Sequence, residues 1–107
     1  MKSAIKKAWI KALRSGEYKQ GSGSLINEHD DKITGWCCLG VLCNLPRVPG
    51  EWRGDDYWYG RSHDDTQLSS NLRKTVGVSE AEMNTLIDLN DSGKSFKHIA
   101  KWIEENL

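Results

Sequence analysis

At 107 residues the chain is sized for one domain, 1–107, large enough to bury a core without disulfide staples. Its 15 Lys and Arg balance 15 Asp and Glu, which argues against a duplex-coating DNA binder, and no apolar run approaches the roughly 20 residues that span a bilayer. Three cysteines, an odd number with a vicinal pair, make a poor disulfide framework. With no apolar signal stretch at the N-terminus, the expected compartment is a reducing cytoplasm. Charge is uneven along the chain: six Lys/Arg against one acid in residues 1–19, then four against eight in 20–65.

In chain order, Ser3 is expected to cap a helix whose apolar residues Ile5, Ala8, Trp9, Ala12 and Leu13 follow the 3.6-residue period, and Gly16 to end it. Turn-rich sequence around Leu25–Ile26 and Lys32–Thr34 predicts a two-stranded hairpin turning near His29–Asp31. The spacing of Cys38, Leu39, Val41, Leu42 and Leu45 predicts a buried helical segment stopped by Pro46, with a buried strand as the alternative because so short an apolar run fits both. Residues 47–65 read as loop with a short strand at Tyr57–Tyr59. Leu68, Leu72 and Val76 mark a third helix ending at Gly77.

A capping box, Ser79 with Glu82, opens a fourth helix that turns Met83, Leu86 and Ile87 inward. Gly93 ends it, and Ser95 caps a last helix with the stripe Phe96, Ile99, Ala100, Ile103 and Leu107. The expected fold class is α+β, four to five short helices packed around a small antiparallel β-hairpin or sheet.

Among possible sites, the cysteines lack the paired spacing of zinc ligands and read as core. His-Asp-Asp occurs at 29–31 and 63–65, which could hold a divalent ion, but turn chemistry accounts for aspartates there. No cofactor and no metal are expected. Residues 89–103 have the pattern of a helix-turn-helix, with Glu104 and Glu105 placed to repel phosphates if Phe96–Leu107 enters a groove. Nucleic acid is therefore a minor alternative. Trp52, Arg53, Tyr57, Trp58 and Arg61 mix flat rings with guanidinium groups, a pocket wall for a nucleotide-like ligand or else a surface hairpin with alternate aromatics buried. No nucleophile elbow, zinc-protease helix, P-loop or dinucleotide fingerprint occurs, so no enzyme is expected, with a metal-dependent nucleotide hydrolase as the weaker alternative.

Three blocks, WIKALRSGEYKQGSGSL (9–25), CCLGVLCNL (37–45) and LNDSGKSFKHIAKWIE (89–104), together resemble a family of short proteins encoded by tailed phages and prophages, over about 40% of the chain. In size and origin the chain is similar to the anti-defence sponges called Sequestin and Lockin, which bind nucleotide immune signals such as the ADP-ribose derivatives of Thoeris systems. That resemblance implies a non-enzymatic trap for an ADP-ribose-type or cyclic nucleotide, a homo-oligomer with pockets near the interface, in the cytoplasm of the infected host. Within the matching blocks, Arg14, Tyr18, Gln20, Asn90 and Asp91 are the polar residues that packing does not require, and these are the expected ligand contacts. Trp36, Trp52, Arg53, Tyr57, Trp58 and Arg61 form a second set. Helix-end and turn chemistry is the structural alternative for Arg14, Asn90 and Asp91. The alternative function is an interaction protein that inhibits a host defence protein or binds nucleic acid.

Overall fold

The first helix, α1, spans Ser3–Arg14 and buries Ile5, Trp9 and Leu13. The cap position belongs to Lys2, without a side-chain cap, and Ser3 is already helical, contrary to the sequence expectation. The Lys2 N–H is met by the Val76 carbonyl at 3.3 Å, a tertiary contact that sequence spacing cannot reveal. Gly16 follows the helix at φ 78°, as expected. This computed structural model describes all of residues 1–107.

Strands β1 (Ile26–His29) and β2 (Lys32–Trp36) pair antiparallel. Asp30 and Asp31 turn the hairpin at φ 51° and 62°, the two positive values of a type I′ turn, which aspartate tolerates better than bulkier residues. Helix α2 (Cys38–Cys43) follows with every residue buried, so the helical reading of this run is correct. Gly40 sits where a Cβ would strike the Leu25 carbonyl, which lets α2 lie directly on the chain entering β1.

Residues 47–65 correct the loop expectation. They contain a three-stranded antiparallel meander, β3 (Glu51–Arg53), β4 (Asp56–Tyr59) and β5 (Ser62–Asp64). Its two-residue loops, Gly54–Asp55 and Gly60–Arg61, put glycine at φ 62° and 63° in the first central position, the type II′ pattern that suits twisted strands. Three helices complete the chain: α3 (Ser70–Val76), α4 (Glu80–Asp91) and α5 (Phe96–Asn106). Ser69 and Ser95 cap α3 and α5, and the Ser79–Glu82 capping box forms as the sequence predicts.

The fold is α+β: five helices with a two-stranded and a three-stranded antiparallel sheet. Helix α2 is central, against α1 on one side and α4 on another, while α5 lies along α1. Trp9, Leu39, Leu42, Leu86, Ile99 and Ile103 are fully buried where these helices meet. Each leucine-sized side chain removed from water contributes about 1.5–3 kcal/mol, so α2 is held by packing more than by its six-residue ladder. The Trp9 indole N–H donates to the Cys38 carbonyl at 2.9 Å, giving the buried ring its polar partner. No helix is long and apolar enough to cross a membrane.

Candidate ligand-binding slot

Four rings from separate segments meet edge to face. Tyr18 precedes β1, Trp36 ends β2, Trp52 lies in β3 and Tyr57 in β4. Their successive centroids are 5.0, 6.1 and 5.0 Å apart, with interplanar angles of 89°, 78° and 72°. Such pairs contribute about 0.5–1.5 kcal/mol each beyond area burial, enough to fix one sheet against the other. Asn44, at the C-cap of α2, ties the row to the helix: its amide donates to the Tyr18 hydroxyl at 2.9 Å, and its carbonyl accepts the Trp52 indole N–H at 3.3 Å. Tyr57 anchors the inner end, its hydroxyl donating to Val48 O at 3.2 Å and accepting Gly50 N–H at 2.8 Å. Burial pushes that hydroxyl up to about 12.

Between the two sheets this row leaves a slot of about 340 Å³, walled by Ile26, Ile33, Trp36 and Trp52. Glu28, Asp31 and Asn44 are its polar members. A β-bulge builds it. Asn27 pairs with Gly35 but Glu28 pairs with Ile33, so Thr34 is the extra residue of β2. In a regular strand Ile33 and Trp36, three positions apart, would face opposite sides; the bulge lets both face the slot. Ile33 is 49% exposed, the one large hydrophobic side chain left open to water.

The residues expected to contact ligand fall into three groups. Tyr18, Trp36, Trp52 and Tyr57 form the row just described. Gln20, Asn90 and Asp91 come together elsewhere, as a clamp on the glycine-rich segment before β1. Asn90, the only buried polar residue, accepts from Cys38 N–H at 3.2 Å and Gln20 Nε2 at 3.1 Å, and donates to Gly21 O at 2.8 Å. Gln20 Nε2 also donates to Lys94 O at 2.7 Å, and Asp91 accepts Gly23 N–H at 3.2 Å. Beside this clamp is a cleft of about 220 Å³ over Cys37, Leu39 and Ile87, but the Asn90 amide facing it is already engaged by the fold.

The third group lies apart from both. Arg14 pairs with Glu104 at 3.2 Å across α1 and α5. Arg53 pairs with Glu51 at 2.7 Å and stands 4.3 Å from the Trp58 ring centroid, while His63 stacks on Trp58 at 4.1 Å. Arg61 is exposed in the β4–β5 turn. No arginine of the set lines the slot.

All three cysteines are free and buried. Cys37 caps α2, its sulfur accepting Gly40 N–H at 3.3 Å, and the Cys38 thiol points at Leu86 O at 3.7 Å. Burial raises the Cys37 thiol to about 11 and lifts Cys38 and Cys43 as well, so all three hold their protons at neutral pH and are poor nucleophiles.

The His-Asp-Asp triplets do not act as sets. The first forms the β1–β2 turn, with His29 3.3 Å from Asp30. In the second, Asp64 accepts from Thr66 N–H and hydroxyl at 2.9 and 3.0 Å and from Gln67 N–H at 3.3 Å. Burial alone would raise this carboxyl; those hydrogen bonds outweigh it and hold it below the usual value. Asp65 instead meets Asp55 and Asp56, the carboxylate oxygens within 4.8 Å of one another. Helix α5 turns Lys97, His98 and Lys101 to solvent, but also Glu104 and Glu105.

Sequence reasoning missed Ile33, Asn44 and Glu28, and took Asp31 for a turn residue or an ion ligand rather than a slot residue. The two Gly-X loops flanking Tyr57–Tyr59 were the signal for the second sheet and thus for the slot's far wall. Nothing local announces the Thr34 bulge.

No curated protein and no solved structure matches the chain. Residues 1–55, which include α1, the first hairpin, α2 and β3, match the family described as "Domain of unknown function (DUF8296)", and the chain belongs to that family.

Proposed function

We propose that the protein is a non-enzymatic trap for a small nucleotide-derived signal, holding the ligand's ring in the Trp36–Trp52 slot, and that it serves a phage against host defence in the cytoplasm of the infected cell. The observation that carries the reading is the slot itself: two indoles and two isoleucines around about 340 Å³, within the size range of small-molecule sites, with polar groups confined to Asn44, Glu28 and Asp31. Flat rings stack on such surfaces, and carboxylates and carboxamides accept hydrogen bonds from ribose hydroxyls or base amino groups. The arginines expected to neutralise phosphate stand elsewhere, so the slot is suited to the ring half of a ligand.

Tryptophan emission titrated with adenosine, cyclic adenosine monophosphate and ADP-ribose tests this. A saturable change that is lost in Trp52→Leu is the expected result. Unchanged emission with every ligand would rule out the slot as a nucleotide seat. A homo-oligomer is part of the proposal; Trp9 is fully buried within one chain, whereas half-buried Trp102 on α5 is open to a contact between chains. A second reading, an interaction protein that blocks a host defence protein, draws on the apolar group that exposed Ile33 makes with half-buried Trp36 and Trp52 around the slot.

A further inference from the structure

We infer that the slot selects a positively charged planar ring over neutral or phosphorylated ones; the inference rests on the slot's being the ligand seat. Two carboxylates and no cationic side chain are among the residues that line it. Glu28 and Asp31 are both exposed, and neither takes part in any ion pair of the protein. Two other carboxylates of these sheets behave differently: Asp30 of the hairpin has His29 at 3.3 Å and Glu51 of β3 has Arg53 at 2.7 Å. The cations of the strands that wall the slot, His29, Lys32 and Arg53, are turned away or occupied. Glu28 pairs with Ile33 across the hairpin, and the next pair, His29 with Lys32, faces the other side by strand alternation. Arg53 is held by Glu51 and Trp58.

The aromatic wall has the same preference. Indole faces carry negative electrostatic potential and attract cations. Trp36 and Trp52 meet at 78°, so a planar ring in the slot cannot lie parallel to both indoles and can stack on one of them only. A cationic ring would gain from an indole face and from two uncompensated carboxylates together. A phosphate in the same place would meet those carboxylates with no donor of positive charge. The occupant is thus an N-alkylated or protonated heteroaromatic ring, the chemistry of a charged nucleobase or pyridinium.

Calorimetric titration at neutral pH with 1-methyladenosine, whose ring is cationic, adenosine, which is neutral, and adenosine monophosphate tests the inference. The expected order of affinity is that order, with about 10-fold between the first two. The double variant Glu28→Gln, Asp31→Asn should bring the three together. Both positions are exposed and asparagine accepts the left-handed backbone at 31, so the variant should fold, and an unchanged melting temperature verifies it. Equal binding of adenosine and 1-methyladenosine to the native protein would overturn charge selection and leave ligand capture standing. Persistence of the preference in the double variant would also overturn it. Failure of all three to bind would remove the slot as a seat altogether.

Discussion

Asn44 holds Trp52: the carboxamide oxygen that closes helix α2 accepts the indole N–H at 3.3 Å, while the amide of the same side chain donates to Tyr18 at 2.9 Å. A residue in a helix C-cap thus ties one indole of the slot wall to the Tyr18 end of the aromatic row. Asn44→Ala should change near-ultraviolet circular dichroism, which reports the packing of the rings, and leave the far-ultraviolet spectrum intact. The cost in stability should be about 1 kcal/mol, because the hydrogen bonds are near the surface and water can replace them.

Asn90 is the opposite case. It is 3% exposed and satisfies Cys38 N–H, Gly21 O and Gln20 at once. Asn90→Ala strands a buried donor at the start of α2 and a carbonyl in the glycine-rich segment. Urea denaturation should show a loss of about 2–6 kcal/mol, from one to three kcal/mol for each of the two unsatisfied groups. A loss below about 1 kcal/mol would mean that water enters the adjacent cleft and takes over these bonds.

These two asparagines mark the limit of what the sequence discloses. The helices were legible because Phe96, Ile99, Ala100 and Ile103 repeat at helical spacing and Ser79 with Glu82 is a local capping motif. The first hairpin was legible from its aspartate turn. Asn90 was singled out, but as a ligand contact, since its partners Cys38 and Gly21 lie 52 and 69 positions away. The slot was half legible: its aromatics stand out in composition, whereas Ile33 faces it only because Thr34 is a bulge, and register is a property of the pair of strands. Arg14 stands out in sequence as a polar residue that packing does not require, and its partner Glu104, 90 positions distant, is invisible there.

Arg14→Ala should leave ligand binding unchanged, since Arg14 lies outside the slot. With the two side chains 43% and 56% exposed, loss of its pair with Glu104 should alter stability by at most about 0.5–1 kcal/mol. A tenfold loss of nucleotide affinity in this variant would relocate the seat to the α1–α5 surface.

The buried thiols give the stability a defined pH dependence. Each is a neutral acid whose ionisation is disfavoured in the folded state, so unfolding releases protons more readily at high pH. Stability from these groups is complete below the ordinary thiol value of 9.0 and is lost as pH rises toward about 11 through Cys37, with Cys38, Cys43 and Tyr57 acting in the same direction. Urea midpoints should therefore fall above pH 9. At neutral pH, reagent labelling of Cys38 and Cys43 should be slow and no stoichiometric zinc should be bound. Rapid labelling, or zinc whose chelation unfolds the protein, would refute the core assignment.

The most direct test of ligand capture is mass spectrometry of the small molecules that heating releases from protein purified out of cells making nucleotide immune signals. Capture in the slot predicts an intact ring-bearing nucleotide or nucleoside, present in the native protein and depleted in Trp52→Leu. Release of cleaved fragments would point instead to an enzyme, and release of nothing beyond what Trp52→Leu carries would contradict the trap.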